Sequence, residues 1–378
     1  MKLAIFGKHP VPQGGFDGVM SLFEAIGFSR LGYDVSLLIA FPDSATHDAV
    51  LARLDIEDLN ALPKFGGRFD IVPVYPDGRG FQEVDVLIYQ SCRPEDWDTY
   101  GALCQDHAGL LTKNFPKFVP DHDFEREPSV IGQFANFDLI ACALRSDLDI
   151  FRANPAFWQE HGHRLAHVPR GADPALLHAG YKTATAPIIG LDMPSGDDAR
   201  AYMAYVGPIK RLRRDYPGLK VLTIGKPIPE LESTAIPYGR FDRLYDRFFN
   251  LIWVYCTIDY RFSPAHLQAE IHKRDSGWGP RAVFEVQNIE AQMSGAPILG
   301  RRACMIDELY EPGVTGFNYR DQGSEPQIYR TLSRIIADMA HYRTETRKWA
   351  LRHFTWESCI ARWHEAIQAC RRATGQLR

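Results

Sequence analysis

The chain is short of the signatures that reveal a chemistry at sight, and each absence removes a class. Its seven cysteines, Cys92, Cys104, Cys142, Cys256, Cys304, Cys359 and Cys370, form an odd, scattered set without a Cys-x-x-Cys pair. That disfavours a disulfide framework and favours reduced thiols in a cytoplasmic protein. No segment offers the roughly 18 uninterrupted apolar residues of a membrane span. The opening run Leu3 to Gly7 is too short for a signal peptide and reads as a strand. No Gly-x-Ser-x-Gly elbow occurs, which disfavours that hydrolase class. His161, His163 and His167 lack the spacing and the helix of a zinc site, and the turn Asp121-His122-Asp123 is not an Asp-x-Asp motif suited to Mg²⁺ and a diphosphate, so a metal-independent chemistry is expected. A net charge of -4 and a pI near 6.4 give no overall basic footprint for nucleic acid.

What is present is an ordinary globular composition, 45% hydrophobic and 24% charged, over 378 residues. That length exceeds the size at which single cores stop growing, and it predicts two domains with a cleft between them. Short apolar strands alternate with helical periods, the pattern of parallel sheets with crossover helices. The first half predicts strands over Lys2 to Phe6, Asp34 to Ala40, Phe69 to Val74, Val84 to Tyr89, Lys117 to Val119, Phe137 to Ala143 and Arg164 to Val168, with a helix from Phe16 to Leu31. Composition shifts at Pro169 to Pro174, and the small, polar run Tyr181 to Ala186 follows, which places a linker there. Strands then resume at Ala186 to Leu191, Leu219 to Ile224, Ile252 to Ile258 and Ala296 to Leu299. Helices are expected over Asp197 to Arg214, Asp242 to Asn250, Pro326 to His341 and Trp356 to Arg372.

The richest segment runs from Gly277 to Gly300. Gly277, Gly279 and Pro280 precede an apolar-periodic helix carrying Arg281, Glu285 and Glu290, and Gly295 closes it before a short strand. Amides at such a helix start suit a diphosphate, and Glu290 can accept from ribose hydroxyls, so one element can hold both parts of a nucleotide sugar. The plain alternative is a surface helix with two solvated glutamates. The loop after the first strand carries Gly14-Gly15 without the spacing of a dinucleotide fingerprint or the lysine of a Walker motif. It can bring backbone close to a ligand or be a simple turn. His122 and Asp123 follow an apolar run that predicts the carboxyl end of a strand, where open α/β sheets bind ligands. Asp123 can orient or deprotonate an acceptor hydroxyl and His122 can bond the transferred sugar, against the alternative of a solvated turn.

Taken in order, several pieces resemble the GT-B glycosyltransferases, and specifically the retaining kind that includes glycosyltransferase family 4. They are Gly14-Gly15, Pro169-Arg170-Gly171-Ala172-Asp173, the run Tyr216 to Gly225, Glu290-Ala291 before Gly295-Ala296-Pro297-Ile298, Glu308 with Gly313 to Phe317, and Phe354-Thr355-Trp356. The resemblance implies an acceptor domain over 1–175, a donor domain over 183–350, and a terminal helix over 351–378 packing back on the first domain. Two departures stand out. The family's acidic helix has glutamates separated by seven residues, and here the first of those positions is Ala282, while Glu285 is separated from Glu290 by four. The arginine and lysine usual after the first strand of the second domain are replaced by Asp192 to Asp197, so Lys226, Lys273, Arg274 or Arg281 must supply the charge for a diphosphate. Arg281 with Glu285 to Glu290, and Phe118 to Asp123, are also similar to segments of phage DNA α-glucosyltransferases.

The resemblance implies sugar transfer from a UDP- or GDP-linked donor, with retained configuration, to an acceptor hydroxyl, and needs no further cofactor. The acceptor is a saccharide, a lipid-linked sugar, a small molecule or hydroxymethylated DNA. A non-catalytic binding module of the same fold is the alternative, given the altered donor positions. Glu285, His122 and Asp123 are the expected catalytic residues, and Gly14, Gly15, Lys226, Lys273, Arg274, Gly277, Gly279, Arg281 and Glu290 the expected donor-binding set.

Overall fold

The computed structural model describes residues 1–7, 15–41, 43, 46, 68–90, 94–115, 135–178, 185–193, 202–236, 245–257, 285–302, 307–319 and 325–375. The chain divides into two compact units, Met1–Pro169 with Trp356–Arg378, and Arg170–Thr355. The break falls at Pro169–Arg170 and not at 175, because the residues after it are bonded into the second unit. Ala172 N donates to Phe354 O, and Arg347 reaches the carbonyls of Pro174 and Leu177.

In the first unit the strands are β1 (Lys2–Gly7), β2 (Asp34–Ala40), β3 (Asp70–Val74), β4 (Val86–Tyr89), β5 (Leu110–Phe115), β6 (Leu139–Cys142) and β7 (Leu165–His167). They form one parallel sheet in the order β3-β2-β1-β4-β5-β6-β7. Leu3, Ala4, Ile5 and Phe6 have no exposed surface, as a central parallel strand covered on both faces requires. Helices α1 (Gly15–Arg30), α2 (Pro94–Gln105), α3 (Arg145–Arg152) and α4 (Pro155–His161) connect the strands. Helix α1 stops where Gly32 adopts φ +84, with Tyr33 N bonded to Phe28 O and Gly32 N to Ser29 O.

Strand β5 is not among the expected strands. The predicted strand at 117–119 lies outside the described residues, and the strand that enters the sheet is Leu110–Phe115, paired with β4 and β6. Lys113 and Asn114 interrupt its apolar run and hide it from a hydropathy reading. Thr112 is buried nonetheless, donating from its hydroxyl to Leu87 O at 3.2 Å.

Near the amino end of β5 sits His107, whose side chain is fully enclosed, with Glu83 Oε2 3.5 Å from Nδ1. Burial pushes this imidazole below its ordinary value, although Glu83, Asp138 and Asp85 pull the other way. The folded protein therefore binds fewer protons at this group than the unfolded chain. Its contribution favours folding above the ordinary histidine pKa and is lost as pH falls toward the lowered one. We expect the melting temperature to fall between pH 7.5 and 5.5, with a shallower fall in His107→Gln. An equal slope in the two proteins would remove His107 from the account.

The second unit repeats the plan. Strands β8 (Ile188–Met193), β9 (Lys220–Gly225), β10 (Thr234–Ile236), β11 (Val254–Cys256), β12 (Ile298–Arg301) and β13 (Gly316–Tyr319) make a parallel sheet ordered β10-β9-β8-β11-β12-β13. Its helices are α5 (Met203–Asp215), α6 (Glu285–Met293), α7 (Glu325–Ala337) and α8 (Met339–His353). Of the helix expected over 242–250, residues 242–244 lie outside the described residues, and Tyr245–Phe249 form a π-helical turn. The one expected over Pro326–His341 is two helices, broken at Asp338, whose φ -125 and ψ 45 leave the helical region. One face of the sheet packs through Ile189, Val221 and Val254 against Tyr205, Ile209, Leu332 and Ile335.

The last helix, α9 (Trp356–Ala373), belongs to the first unit and packs on α1 and β6. Trp356 stacks on Phe23 with centroids 5.4 Å apart, and Tyr33 Oη lies 2.6 Å from His364 Nδ1. Trp363, 1% exposed, donates from its indole to Oε1 of the fully buried Glu24 at 3.3 Å. Gln90, at the end of β4, donates to the other Glu24 oxygen, so one carboxylate ties together α1, the central sheet and α9.

Candidate donor site in the second unit

Open parallel sheets bind ligands beyond the carboxyl ends of their strands, where the strand order reverses. In the second sheet that point lies between β8 and β11. Three chain ends meet the region: Met193 of β8, Thr257 just after β11, and Lys226 just after β9. Gly225 turns the chain at the end of β9 with φ +92 and delivers Lys226 as an exposed side chain. Tyr205 Oη, from α5, donates to Thr257 O at 2.7 Å and so braces the end of β11.

Helix α6 stands beside this edge. It has an unusual interior, because Gln287, Asn288, Glu290 and Gln292 are all buried. Gln292 Nε2 donates to Leu309 O at 2.8 Å, tying the helix to the turn Asp307–Leu309 that holds Glu308. The helix ends at Gly295 with φ +82, where Ala296 N bonds Ala291 O and Gly295 N bonds Gln292 O. Arg347 of α8 donates to Met293 O in the last turn of α6 and to Pro174 O and Leu177 O, so a cation sits at the negative helix end.

Glu290 is 5% exposed, and its Oε1 accepts a 2.5 Å hydrogen bond from Tyr245 Oη. Burial, with the nearby carboxylates of Glu290 and Asp173, holds the Tyr245 phenol well above its ordinary value, so it remains a donor at working pH. Asp173 is itself buried, accepts from Ala175 N at 2.7 Å, and lies in the segment following the break between units.

Glu285 opens α6, five residues before Glu290. At about 100° per residue the two are rotated by roughly 140°, so they occupy different faces. Gln287, three residues before Glu290, is about 60° from it and shares its face. The Gln287 Oε1 atom is buried and has no hydrogen-bond partner among the described residues, as is Thr257 Oγ1. Such atoms suit a ligand that brings its own donors.

The other expected donor residues divide as follows. Gly15 is the first residue of α1, after β1 in the first unit. Gly14, His122, Asp123, Lys273, Arg274, Gly277, Gly279 and Arg281 lie outside the described residues. Among the described residues no group of three or more His, Cys, Asp or Glu side chains is arranged around a common metal position. None of the described helices is long and apolar enough to cross a membrane.

Solved structures match almost the whole chain. HepE from Anabaena, solved with UDP and glucose, aligns over 98% of this chain and 100% of its own, with a TM-score of 0.62 at 13% identity. Sucrose-phosphate synthase from Thermosynechococcus elongatus covers 98% of this chain and 99% of its own, with a TM-score of 0.59 at 13% identity. The fold is GT-B. A TarM variant from S. aureus, solved with fondaparinux, α-GlcNAc-glycerol and UDP, gives a TM-score of 0.64 over 97% of this chain and 99% of its own, at 8% identity. No protein-family model and no curated protein sequence matches the chain. In GT-B terms the first unit is the N-terminal Rossmann-like domain completed by α9, and the second is the C-terminal one carrying α6.

Tyr245, Asp173, Gln287 and Thr257 were not singled out as site residues from sequence. Tyr245 is 45 residues from Glu290 along the chain, and no periodicity links them. Gln287 was within reach of helix geometry, since it stands three positions from a chosen glutamate.

Proposed function

We propose that the protein is a glycosyltransferase that moves a sugar from a nucleoside-diphosphate sugar to an acceptor hydroxyl, with the donor held by the second unit. The observation that carries this reading is the Tyr245–Glu290 pair. A buried carboxylate that accepts from the Tyr245 phenol lies on the helix that flanks the switch point of a GT-B sheet, where a ribose diol can donate to it. The nature of the neighbours supports it, because HepE was solved with UDP and glucose and TarM with UDP. UDP is therefore the proposed nucleotide.

In this reading the amides at the start of α6, with Lys226, Lys273, Arg274 and Arg281, meet the diphosphate. Glu285 at the helix start addresses a sugar hydroxyl. His122 and Asp123 face the acceptor, and Gly14-Gly15 allow close backbone approach. Transfer is metal-independent and retaining, with the leaving phosphate helping to deprotonate the acceptor at the face it leaves. The acceptor is a saccharide hydroxyl.

The purified protein should release UDP slowly from a UDP-hexose in EDTA, and faster with oligosaccharide acceptors, with the anomeric configuration of the product read by NMR. Lys273→Ala and Arg281→Ala should each weaken UDP binding more than uridine binding. UDP release that requires Mg²⁺ would remove the metal-independent mechanism, and an inverted product would remove the retaining one. No binding of any nucleotide sugar would overturn the assignment and leave a non-catalytic module. Turnover with hydroxymethylated duplex DNA alone would replace the saccharide acceptor.

A further inference from the structure

Helix α6 carries buried amides that the rest of the protein leaves unanswered. Gln287 and Asn288 are each 2% exposed, and neither Gln287 Oε1 nor Asn288 Oδ1 has a hydrogen-bond partner among the described residues. Gln292 Oε1 is in the same position, although its Nε2 is bonded to Leu309 O. Among the described residues these three are the buried side-chain amide oxygens without a partner, and all lie on this one helix. Native interiors pair the large majority of such atoms, so orphans concentrated on one element point to a partner that the chain itself does not supply.

The three amides face different ways. Asn288 stands four residues before Gln292, about 40° from it, and shares the face bonded to the Asp307–Leu309 turn. Gln287 is about 100° from Asn288 and about 60° from Glu290, whose carboxylate accepts from Tyr245. The π-helical turn that holds Tyr245 packs against β8, where a Cβ added to Gly190 would come within 2.8 Å of the Phe248 ring. Asn250 anchors the end of that turn, donating from Nδ2 to Leu176 O at 2.8 Å and accepting from His178 N at 2.9 Å. Gln287 is therefore on the side of α6 turned toward β8, and β8 with β11 forms the switch point of the sheet. Long helical side chains lean toward the amino end of their helix, so the Gln287 amide lies over the first turn of α6, where N–H groups have no partner within the helix. Thr257 brings another orphaned oxygen, Oγ1 of a residue 1% exposed, to the carboxyl end of β11 at the same switch point.

An amide oxygen needs an O–H or N–H donor. The diphosphate of a nucleotide sugar has none to give, whereas its ribose and its hexose both present hydroxyls. We propose that Gln287 is a specificity-determining residue of the donor site: its Oε1 accepts from a hydroxyl of the bound nucleotide sugar and so selects donors that carry that hydroxyl. A neutral acceptor suits the place, because a carboxylate over the same helix turn would repel the diphosphate. This rests on the reading of the second unit as the donor site.

The test is calorimetric titration of the full chain with UDP, 2′-deoxy-UDP, 3′-deoxy-UDP, UDP-glucose and UDP-glucoses carrying fluorine in place of one hydroxyl. Gln287→Met keeps the length of the side chain and removes the amide. It should bind UDP-glucose about fivefold or more weakly than wild type, and bind as wild type does the analogue that lacks the hydroxyl Gln287 accepts. A deoxy-UDP in that role places the contact at the ribose, and a fluoroglucose places it at the sugar. The ligand-free variant should melt at the wild-type temperature or higher, because no partner inside the protein is lost with the amide oxygen. Gln287→Leu is the second variant, and its titration decides where methionine alone packs badly. A lowered melting temperature in both makes the amide structural and overturns the proposal. Asn288→Leu, on the face bonded to the Leu309 turn, should leave every affinity unchanged. An equal loss there would mean that any change in the first turns of α6 disturbs the site, and the role of Gln287 falls. If the Gln287 variants bind every ligand as wild type does, or lose all by one factor, the proposal falls and the donor reading stands. If wild type binds none of the ligands, the donor reading falls and takes this inference with it.

Discussion

In Glu290→Ala the dissociation constant for UDP is expected to rise about 10- to 100-fold, the range for losing a charged partner of one or two ligand hydroxyls. Binding of uracil should be unchanged. Stability should move far less, because two effects oppose each other. The Tyr245 hydroxyl loses its acceptor, which costs about 1–3 kcal/mol for a buried donor. At the same time a buried carboxyl group is removed from beside Tyr245, along with its desolvation penalty. Calorimetric titration with a parallel thermal melt distinguishes the outcomes. A UDP affinity equal to wild type would end the ribose role, and a collapsed melt would make Glu290 a core residue first.

The largest loss of stability is expected in the first unit, from Trp363→Ala. Truncating a buried indole costs about 3–5 kcal/mol through lost contacts and the cavity left behind. Here the change also withdraws the indole donor from Glu24, a carboxylate with no exposed surface. For a unit of this size the melting temperature should fall by roughly 10 °C. Trp363→Phe keeps most of the ring and loses only the donor, so it should cost about 1–3 kcal/mol. Differential scanning calorimetry can assign the loss, since the second unit contains neither residue. Equal melts for Trp363→Ala and wild type would show that α9 contributes little.

How much of this was legible beforehand follows from the physics of each element. Central parallel strands such as β1 and β9 are read easily, because burial on both faces leaves a continuous apolar run. Strand β5 escaped because Lys113 and Asn114 stand inside it, and its place is decided by pairing with Val86–Tyr89 and Leu139–Cys142, which no local window contains. The stop of α6 at Gly295 was legible, since a glycine beyond an apolar-periodic run marks a helix end. The π-helical turn was not, because its period differs by about one residue per turn from the pattern being sought.

The site shows the same division. Glu290 stands out on its helix from sequence alone, whereas its partner Tyr245 is a product of tertiary packing around Gly190 and Asn250. The rotation between Glu285 and Glu290 was available from helix geometry.

The discontinuous first unit also constrains how the chain is made. Its final helix is synthesised only after the whole of the second unit, although Trp356 and Trp363 cover Phe23 and Phe28 in α1. At about 5–20 residues per second, the roughly 200 residues from Pro169 to Ala373 take on the order of 10–40 s to emerge. During that interval α1 presents an aromatic face with nothing over it, while the uninterrupted second unit is free to fold first. The usual amino-to-carboxyl order of domain completion is therefore inverted. A nascent chain stalled before Trp356 is the species most prone to aggregate or to engage a chaperone.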